Sequence, residues 1–116
     1  MSNLEIIEKN HDNEFNFGEE KVFTYELKNI SENPIKYINL SAFTINPNRE
    51  PTKINYVTKV DTIRSILPPG KSVDFNVTVE VPENYNEKYI TKSGELKTAP
   101  IAIKLSVDCS ECYVFV

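Results

Sequence analysis

The sequence predicts an all-β fold in which two antiparallel sheets pack face to face, and three observations support this. Apolar and polar residues alternate along several segments, which is typical of strands with one buried face. Clusters of turn-forming residues separate these segments. Seven prolines are distributed along the chain and no segment shows helical periodicity, so there is little room for a long helix.

The length of 116 residues is that of a single domain. A chain of this length buries about two-thirds of the surface that its unfolded form exposes, so one core holds it without a metal or a disulfide framework. We therefore expect one domain over residues 1–116 that needs no cofactor.

The first strands are predicted in the N-terminal third of the chain. The segment "LEII" (4–7) is a short candidate. In "VFTYELKN" (22–29), Phe23, Tyr25 and Leu27 fall on one face. The turn-forming cluster "NISENP" follows and ends this strand at a corner.

The next segment, "KYINLSAFTI" (36–45), changes its pattern midway. Ile38, Leu40 and Ala42 fall on one face of a strand, whereas the next apolar residues, Phe43 and Ile45, fall on the other face. Such a shift indicates either a bulge near Ala42 or a strand buried on both faces. The bulge is the favoured interpretation. Two shorter candidates, "INYVTKV" (54–60) and "TIRSIL" (62–67), follow.

The most regular strand lies in "LPPGKSVDFNVTVEVP" (67–82). Pro69 and Gly70 occupy the positions that a type II turn requires, because proline fixes the first central φ and glycine accepts the positive second φ. Apolar residues then fall on one face until Pro82 ends the strand. These residues are Val73, Phe75, Val77, Val79 and Val81. We expect them to pack against a facing sheet that contains the "VFTYELKN" strand.

Three candidates complete the chain, "EKYIT" (87–91), "IAIKLSVD" (101–108) and "CYVFV" (112–116). In the second of these, apolar residues at 101, 103, 105 and 107 alternate with more polar neighbours.

Charge and hydropathy exclude two classes of partner. The formal charge is −4 and lysine and arginine are scattered, so the basic patch of a nucleic-acid-binding protein is missing. No stretch reaches the about 18 consecutive apolar residues of a membrane-spanning helix, so no direct membrane insertion of this segment is expected. The N-terminus also lacks the basic-then-apolar order of a signal peptide.

The motif "CSEC", with Cys109 and Cys112, is the one with known chemistry. A redox site would need a helix after the first cysteine, and only four residues follow the second. A zinc site needs about four ligands, and His11 is the one other good candidate. A disulfide between Cys109 and Cys112 and a pair of reduced cysteines both remain open. We expect no metal site.

Catalysis is not expected. His11 lies among polar residues, and no serine sits in a strand–turn–helix elbow. Asp74 and Glu80 belong to the outward face of one strand, as solvated residues do. No catalytic residue is therefore assigned.

Two loops are suited to contact with another protein. Residues 46–56 carry Arg49, and residues 82–95 carry Tyr85 and Tyr89 among polar neighbours. Tyrosine and arginine are favoured anchors at interfaces. Strand pairing at a sheet edge is the other mode of contact we expect.

The segments "FNFGEEKVFTYELKNISENPIKYINLSAF", "ILPPGKSVDFNVTVEVP" and "IAIKLSVD" together resemble the immunoglobulin-like modules of archaeal and bacterial surface proteins, in particular the CARDB-like and related families. The shared features are a strand ending in an Asn-x-Ser corner and an "L-x-P-G-x-S" turn before a strand. The resemblance covers about residues 15 to 108. It implies a sandwich of about seven to nine strands, with no catalytic residues.

This resemblance implies a non-catalytic protein-binding or assembly module that is extracellular or at the cell envelope. Surface-layer, adhesion and archaellum-stator components belong to this group, so the expected partner is another envelope or surface-layer protein.

A second resemblance is to the cytoplasmic proteinase inhibitors of the BsuPI type, also single sandwiches with a "P-G" turn before a late strand. At "SAFTINPNREP" the chain lacks the aromatic and aspartate pairing of that group, so this alternative, an intracellular inhibitor or regulatory domain, ranks lower.

Overall fold

The computed structural model describes residues 3–10, 14–83, 99 and 101–109. Within these residues the protein has six strands and no helix, so no helix there is long and apolar enough to cross a membrane. The strands are β1 (Leu4–Glu8), β2 (Glu19–Asn29), β3 (Asn39–Ile45), β4 (Val57–Val60), β5 (Ser72–Val81) and β6 (Ala102–Asp108). The predicted all-β class is confirmed. The candidate strands at 87–91 and 112–116 lie outside the described residues.

All strand pairs are antiparallel, and they form two sheets. One sheet has four strands in the order β1-β2-β5-β4, and the other consists of β3 and β6. Apolar side chains of both sheets belong to one hydrophobic core. Its fully buried members in the larger sheet include Phe23, Leu27, Phe75, Val77 and Val79.

Strands β2 and β5 form the centre of the larger sheet. Their register runs without a break from Glu19 opposite Val81 to Lys28 opposite Ser72. The predicted alternation is confirmed in both strands. The expectation that they lie in facing sheets is wrong, because they are hydrogen-bonded neighbours in one sheet. Alternation determines which side chains face the core, and it carries no information about which strand lies alongside.

Strands β3 and β6 pair in constant register from Asn39 opposite Asp108 to Ile45 opposite Ala102. The predicted bulge near Ala42 is therefore wrong. The pattern shifts because a polar residue, Thr44, occupies a fully buried position, while its neighbours Phe43 and Ile45 are half-buried on the other face. A register irregularity occurs instead in β4, between Val57 and Lys59.

The candidate strand at 62–67 is also not a strand. Only Leu67 lies beside another backbone, in an isolated bridge with Ile35. The segment runs into Pro68 and Pro69, which lack the N–H groups that a ladder needs.

Candidate partner-binding surface

Residues 46–56, here called the Arg49 loop, follow β3 and are held by side-chain bonds to their own backbone. The Asn46 Oδ1 accepts hydrogen bonds from the N–H groups of Asn48, at 2.8 Å, and Glu50, at 3.1 Å. The Asn55 side chain donates to the Ala42 carbonyl and accepts from the Val57 N–H. These bonds fix the loop to the end of β3.

Arg49 lies exposed at the turn of this loop with a φ of 63°. Its N–H donates to the Asn46 carbonyl at 2.9 Å, so its backbone conformation belongs to a hydrogen-bonded turn. The structure thus places the predicted contact residue Arg49 at an accessible position. The other predicted contact residues, Tyr85 and Tyr89, lie outside the described residues, as does His11.

Cys109 is buried, with 7% of its surface exposed, and is disulfide-bonded. It follows the half-buried Val107 and the exposed Asp108 at the end of β6. Its predicted partner Cys112 lies outside the described residues, and the pairing of these two residues remains a prediction.

The opposite end of the molecule is organised around Asn29, the last residue of β2, which is fully buried. Its Nδ2 donates to the carbonyls of Asn33, at 2.8 Å, and Leu67, at 2.9 Å. Its Oδ1 accepts from both the N–H and the hydroxyl of Ser31. One side chain therefore joins the corner after β2 to the segment that precedes β5.

The same two segments are joined by their backbones. The N–H groups of Ile35 and Leu67 each donate to the other's carbonyl at 3.0 Å. The chain then turns at Gly70, which has a φ of 73°, and the Lys71 N–H donates to the Pro68 carbonyl at 3.1 Å. These features agree with the type II turn predicted at Pro69 and Gly70.

Tyr37 lies between the Ile35 bridge and β3 and is unusual in two respects. Its φ is 54°, and 84% of its surface is exposed. The left-handed region costs an L-residue about 1 to 2 kcal/mol. Asn and Asp offset part of this cost by local hydrogen bonds, which a tyrosine side chain does not make. The residues around it, Ile35 and Ile38, are both buried, and a positive φ between them lets two residues three positions apart face the core.

Tyr37 lines one side of a surface cavity of about 480 Å³. We call this region the Tyr37 surface, defined by Lys36, Tyr37, Ile63, Arg64, Ser65 and Ile66. Ile66 is 54% exposed, whereas Ile63 packs partly against the core. The described lining contains two cationic side chains and no carboxylate. It therefore combines an exposed aromatic ring, an exposed aliphatic side chain and positive charge.

This combination is suited to recognition of another protein. Aromatic residues and arginine are enriched at interfaces and dominate their binding energy. The described lining of the Tyr37 surface holds no cysteine, histidine or carboxylate for catalysis or metal binding. Across the described residues, no group of three or more potential metal ligands is found.

Neither Tyr37 nor Ile66 was predicted from the sequence as a contact residue. In "PIKYIN", Ile35 and Tyr37 are two positions apart and would share one face of a regular strand, so such a strand would bury both. The one signal against this is Ile38, which a regular strand places on the opposite face. Because tyrosine does not favour positive φ, the sequence alone gives no reason to place the reversal at this residue.

The chain matches no model of a protein family, no curated protein and no solved structure.

Proposed function

We propose that the protein is a non-catalytic protein-binding or assembly module of the cell envelope, and that the Tyr37 surface contacts its partner. The observation that carries this proposal is Tyr37 itself, an aromatic residue held outward in a conformation that costs energy. Backbone strain of this kind is concentrated at functional sites. The strain keeps the ring outward before binding, which reduces the entropy lost when a partner docks.

The finer fold assignment, an immunoglobulin-like sandwich of seven to nine strands, is part of the proposal. Its support is that two antiparallel sheets contribute apolar side chains to one core. Such sandwiches expose loops at both ends, and binding commonly uses these loops.

The envelope location is supported by the disulfide at Cys109. Disulfides persist in oxidising compartments and are rare in the cytosol. The expected partner is therefore another protein of the envelope or surface layer.

The test is a crosslinked pull-down from separate envelope and cytosolic fractions of the source organism, read by mass spectrometry. The bait is the wild type or one of two matched double variants. Tyr37→Ser with Ile66→Ser alters the proposed surface. Arg49→Ser with Ile54→Ser alters the alternative surface, the Arg49 loop that the sequence predicts as a contact, and again replaces one residue of positive φ and one exposed isoleucine.

We expect one envelope protein to be enriched by the wild type and by the Arg49 variant, and to fall about tenfold or more with the Tyr37 variant. Thermal unfolding of both variants checks that each is folded. Equal retention by the two variants contradicts the role of the Tyr37 surface. Enrichment of a cytosolic protease in place of an envelope protein supports the inhibitor alternative.

A further inference from the structure

The two outer strands of the four-stranded sheet differ in how well they are protected from pairing with another chain. β4 has four residues, an irregular register and Lys59, and these features hinder the addition of a further strand. β1 pairs with β2 in constant register over five residues and contains neither proline nor lysine. Ile6 and Ile7 in β1 are 36% and 38% exposed. Within the part of the chain that the structure describes, the β1 edge at Ile6 and Glu8 is therefore the less protected of the two.

The hydrogen bonds beside β1 show which of its backbone groups face outward. The Lys9 N–H donates to the Thr24 carbonyl, and the Asn3 carbonyl accepts from the Ile30 N–H, both at 3.0 Å. Odd-numbered residues therefore direct their backbone groups toward β2. It follows that Ile6 and Glu8 direct their N–H and C=O groups away from the sheet, where an added strand pairs.

A cleft lies beside this edge, on the core side of the sheet. Ile6 lies opposite Leu27 and Glu8 opposite Tyr25, so both side chains are on the inner face. The cleft has a volume of about 370 Å³. Its described lining, which we call the β1 cleft, is Ile6, Glu8, Phe15, Tyr25, Ile101, Ala102, Ile103 and Leu105.

The described lining of the β1 cleft is apolar apart from Glu8, and described residues bury it only in part. Phe15 and Tyr25 form buried aromatic walls, while Ile103 and Leu105 on β6 are half-buried although they face the core. In a strand beside β1, every second side chain points to the inner face. Such side chains would enter the cleft and cover these residues.

Glu8 is the one charged residue in the described lining, and it makes no ion pair with a described residue. Burial, and after it the charge of Glu8, raises the pKa of Tyr25 to about 12. Glu8 and Tyr25 both line the cleft. A negative charge at the rim of an apolar cleft is complementary to a lysine or arginine placed opposite it.

We infer that the β1 edge binds an extended segment of a partner protein as an added strand. The segment carries apolar residues at alternate positions, which fill the β1 cleft, and a lysine or arginine that faces Glu8. Main-chain hydrogen bonds to Ile6 and Glu8 supply affinity, and the cleft supplies selectivity. This inference is independent of the Tyr37 surface, since the residues involved are different.

The test uses soluble synthetic peptides in which valine and threonine alternate, with either lysine or glutamate at one central valine position, on the face that meets Glu8. Amide hydrogen exchange of the full chain is followed by NMR at peptide concentrations up to about 1 mM. We expect the lysine peptide to slow exchange at Ile6 and Glu8, with little change at Ile7, whose N–H already faces β2. The lysine peptide should bind about fivefold more tightly than the glutamate peptide.

Variants separate backbone pairing from side-chain contact. Ile6→Pro removes an outward N–H that the β1–β2 ladder does not use, so it should abolish binding, whereas Ile6→Ala keeps the donor and should only weaken binding. Glu8→Lys should reverse the preference between the two peptides. Thermal unfolding verifies that each variant is folded.

Three results would overturn the inference. The first is no protection of Ile6 and Glu8 by any peptide. The second is binding that Ile6→Pro leaves unchanged. The third is slow exchange of both amides in the protein without peptide. If this protection rises with protein concentration, a second copy of the chain occupies the β1 edge. If the protection is independent of concentration, another part of the same chain covers the edge. None of these results bears on the Tyr37 and Arg49 pull-down.

Discussion

Among the described residues, two non-glycine residues have a positive φ, one before β3 and one after it, and the two differ in the contacts that hold their backbones. Arg49 follows β3, and its N–H bonds to the Asn46 carbonyl within a turn that the Asn46 side chain also binds. Tyr37 precedes β3 and makes no hydrogen bond among the described residues. Its conformation is imposed by the burial of Ile35 and Ile38 on either side.

This difference separates a structural use of positive φ from a candidate functional one. At Arg49 the local turn accounts for the backbone conformation, and hydrogen bonds offset its cost. At Tyr37 the burial of Ile35 and Ile38 offsets the conformational cost of the positive φ. Asparagine or glycine would adopt this conformation more readily than tyrosine. An exposed aromatic ring at this position contributes little to the core, so binding is the better explanation for it.

The largest effect is expected from breaking the Tyr37 end at Asn29. Asn29→Ala removes a buried side chain that makes hydrogen bonds to Ser31, Asn33 and Leu67. Because buried polar groups lose their partner, we expect the free energy of unfolding to fall by about 2 to 3 kcal/mol. Urea denaturation measures this loss.

Ser31→Ala is the control, since it removes one hydroxyl from the same network and leaves the Asn29 bonds to Asn33 and Leu67. It should cost no more than about 1 kcal/mol. A loss for Asn29→Ala as small as that for Ser31→Ala would show that Asn29 does not organise this end.

A smaller effect is expected from breaking the Arg49 end at Thr44. Its buried hydroxyl contacts the Thr52 hydroxyl and accepts a bond from the Tyr56 N–H at 3.3 Å. Thr44→Val keeps the shape and removes the hydroxyl, so we expect the free energy of unfolding to fall by about 1 to 2 kcal/mol.

The matched control is Thr58→Val, because Thr58 is exposed and its hydroxyl lies 3.4 Å from the Thr78 carbonyl. Its effect should lie within about 0.5 kcal/mol of zero. In Thr44→Val, amide hydrogen exchange should be faster than in the wild type at residues 46–56 and unchanged at Asn29. Acceleration at both ends would show that the two ends are not independent.

The elements that the sequence predicted well are those determined by local alternation and turn chemistry. β2 and β5 have one apolar face, and the turn at Pro69 and Gly70 follows from the φ preferences of these two residues. The pairing of β2 with β5 was not predictable, because alternation identifies a face and leaves the neighbour undetermined.

The misassigned elements are those where a tertiary contact overrides the local pattern. The shift at Ala42 suggested a bulge, whereas a buried hydroxyl pair lets Thr44 occupy a core position without one. The Tyr37 surface was missed for a related reason. Its conformation accompanies the burial of Ile35 and Ile38, and Ile35 pairs with Leu67, which is far from it in sequence.

The smallest expected effect tests the comparison between the two positive-φ residues directly. Asparagine tolerates positive φ, so Tyr37→Asn should relieve strain and raise the free energy of unfolding by up to about 1 kcal/mol. Arg49→Asn should change it less, because hydrogen bonds already support that turn. Chemical denaturation of the two variants beside the wild type measures both changes.

The same variants connect stability with binding. If Tyr37 is retained for contact, Tyr37→Asn should be more stable than the wild type and yet capture less of the partner, which is the trade-off expected at a strained binding residue. Arg49→Asn should leave capture unchanged. If Tyr37→Asn proves less stable than the wild type, the ring contributes packing that its 84% exposure does not suggest, and its positive φ is then structural, as at Arg49.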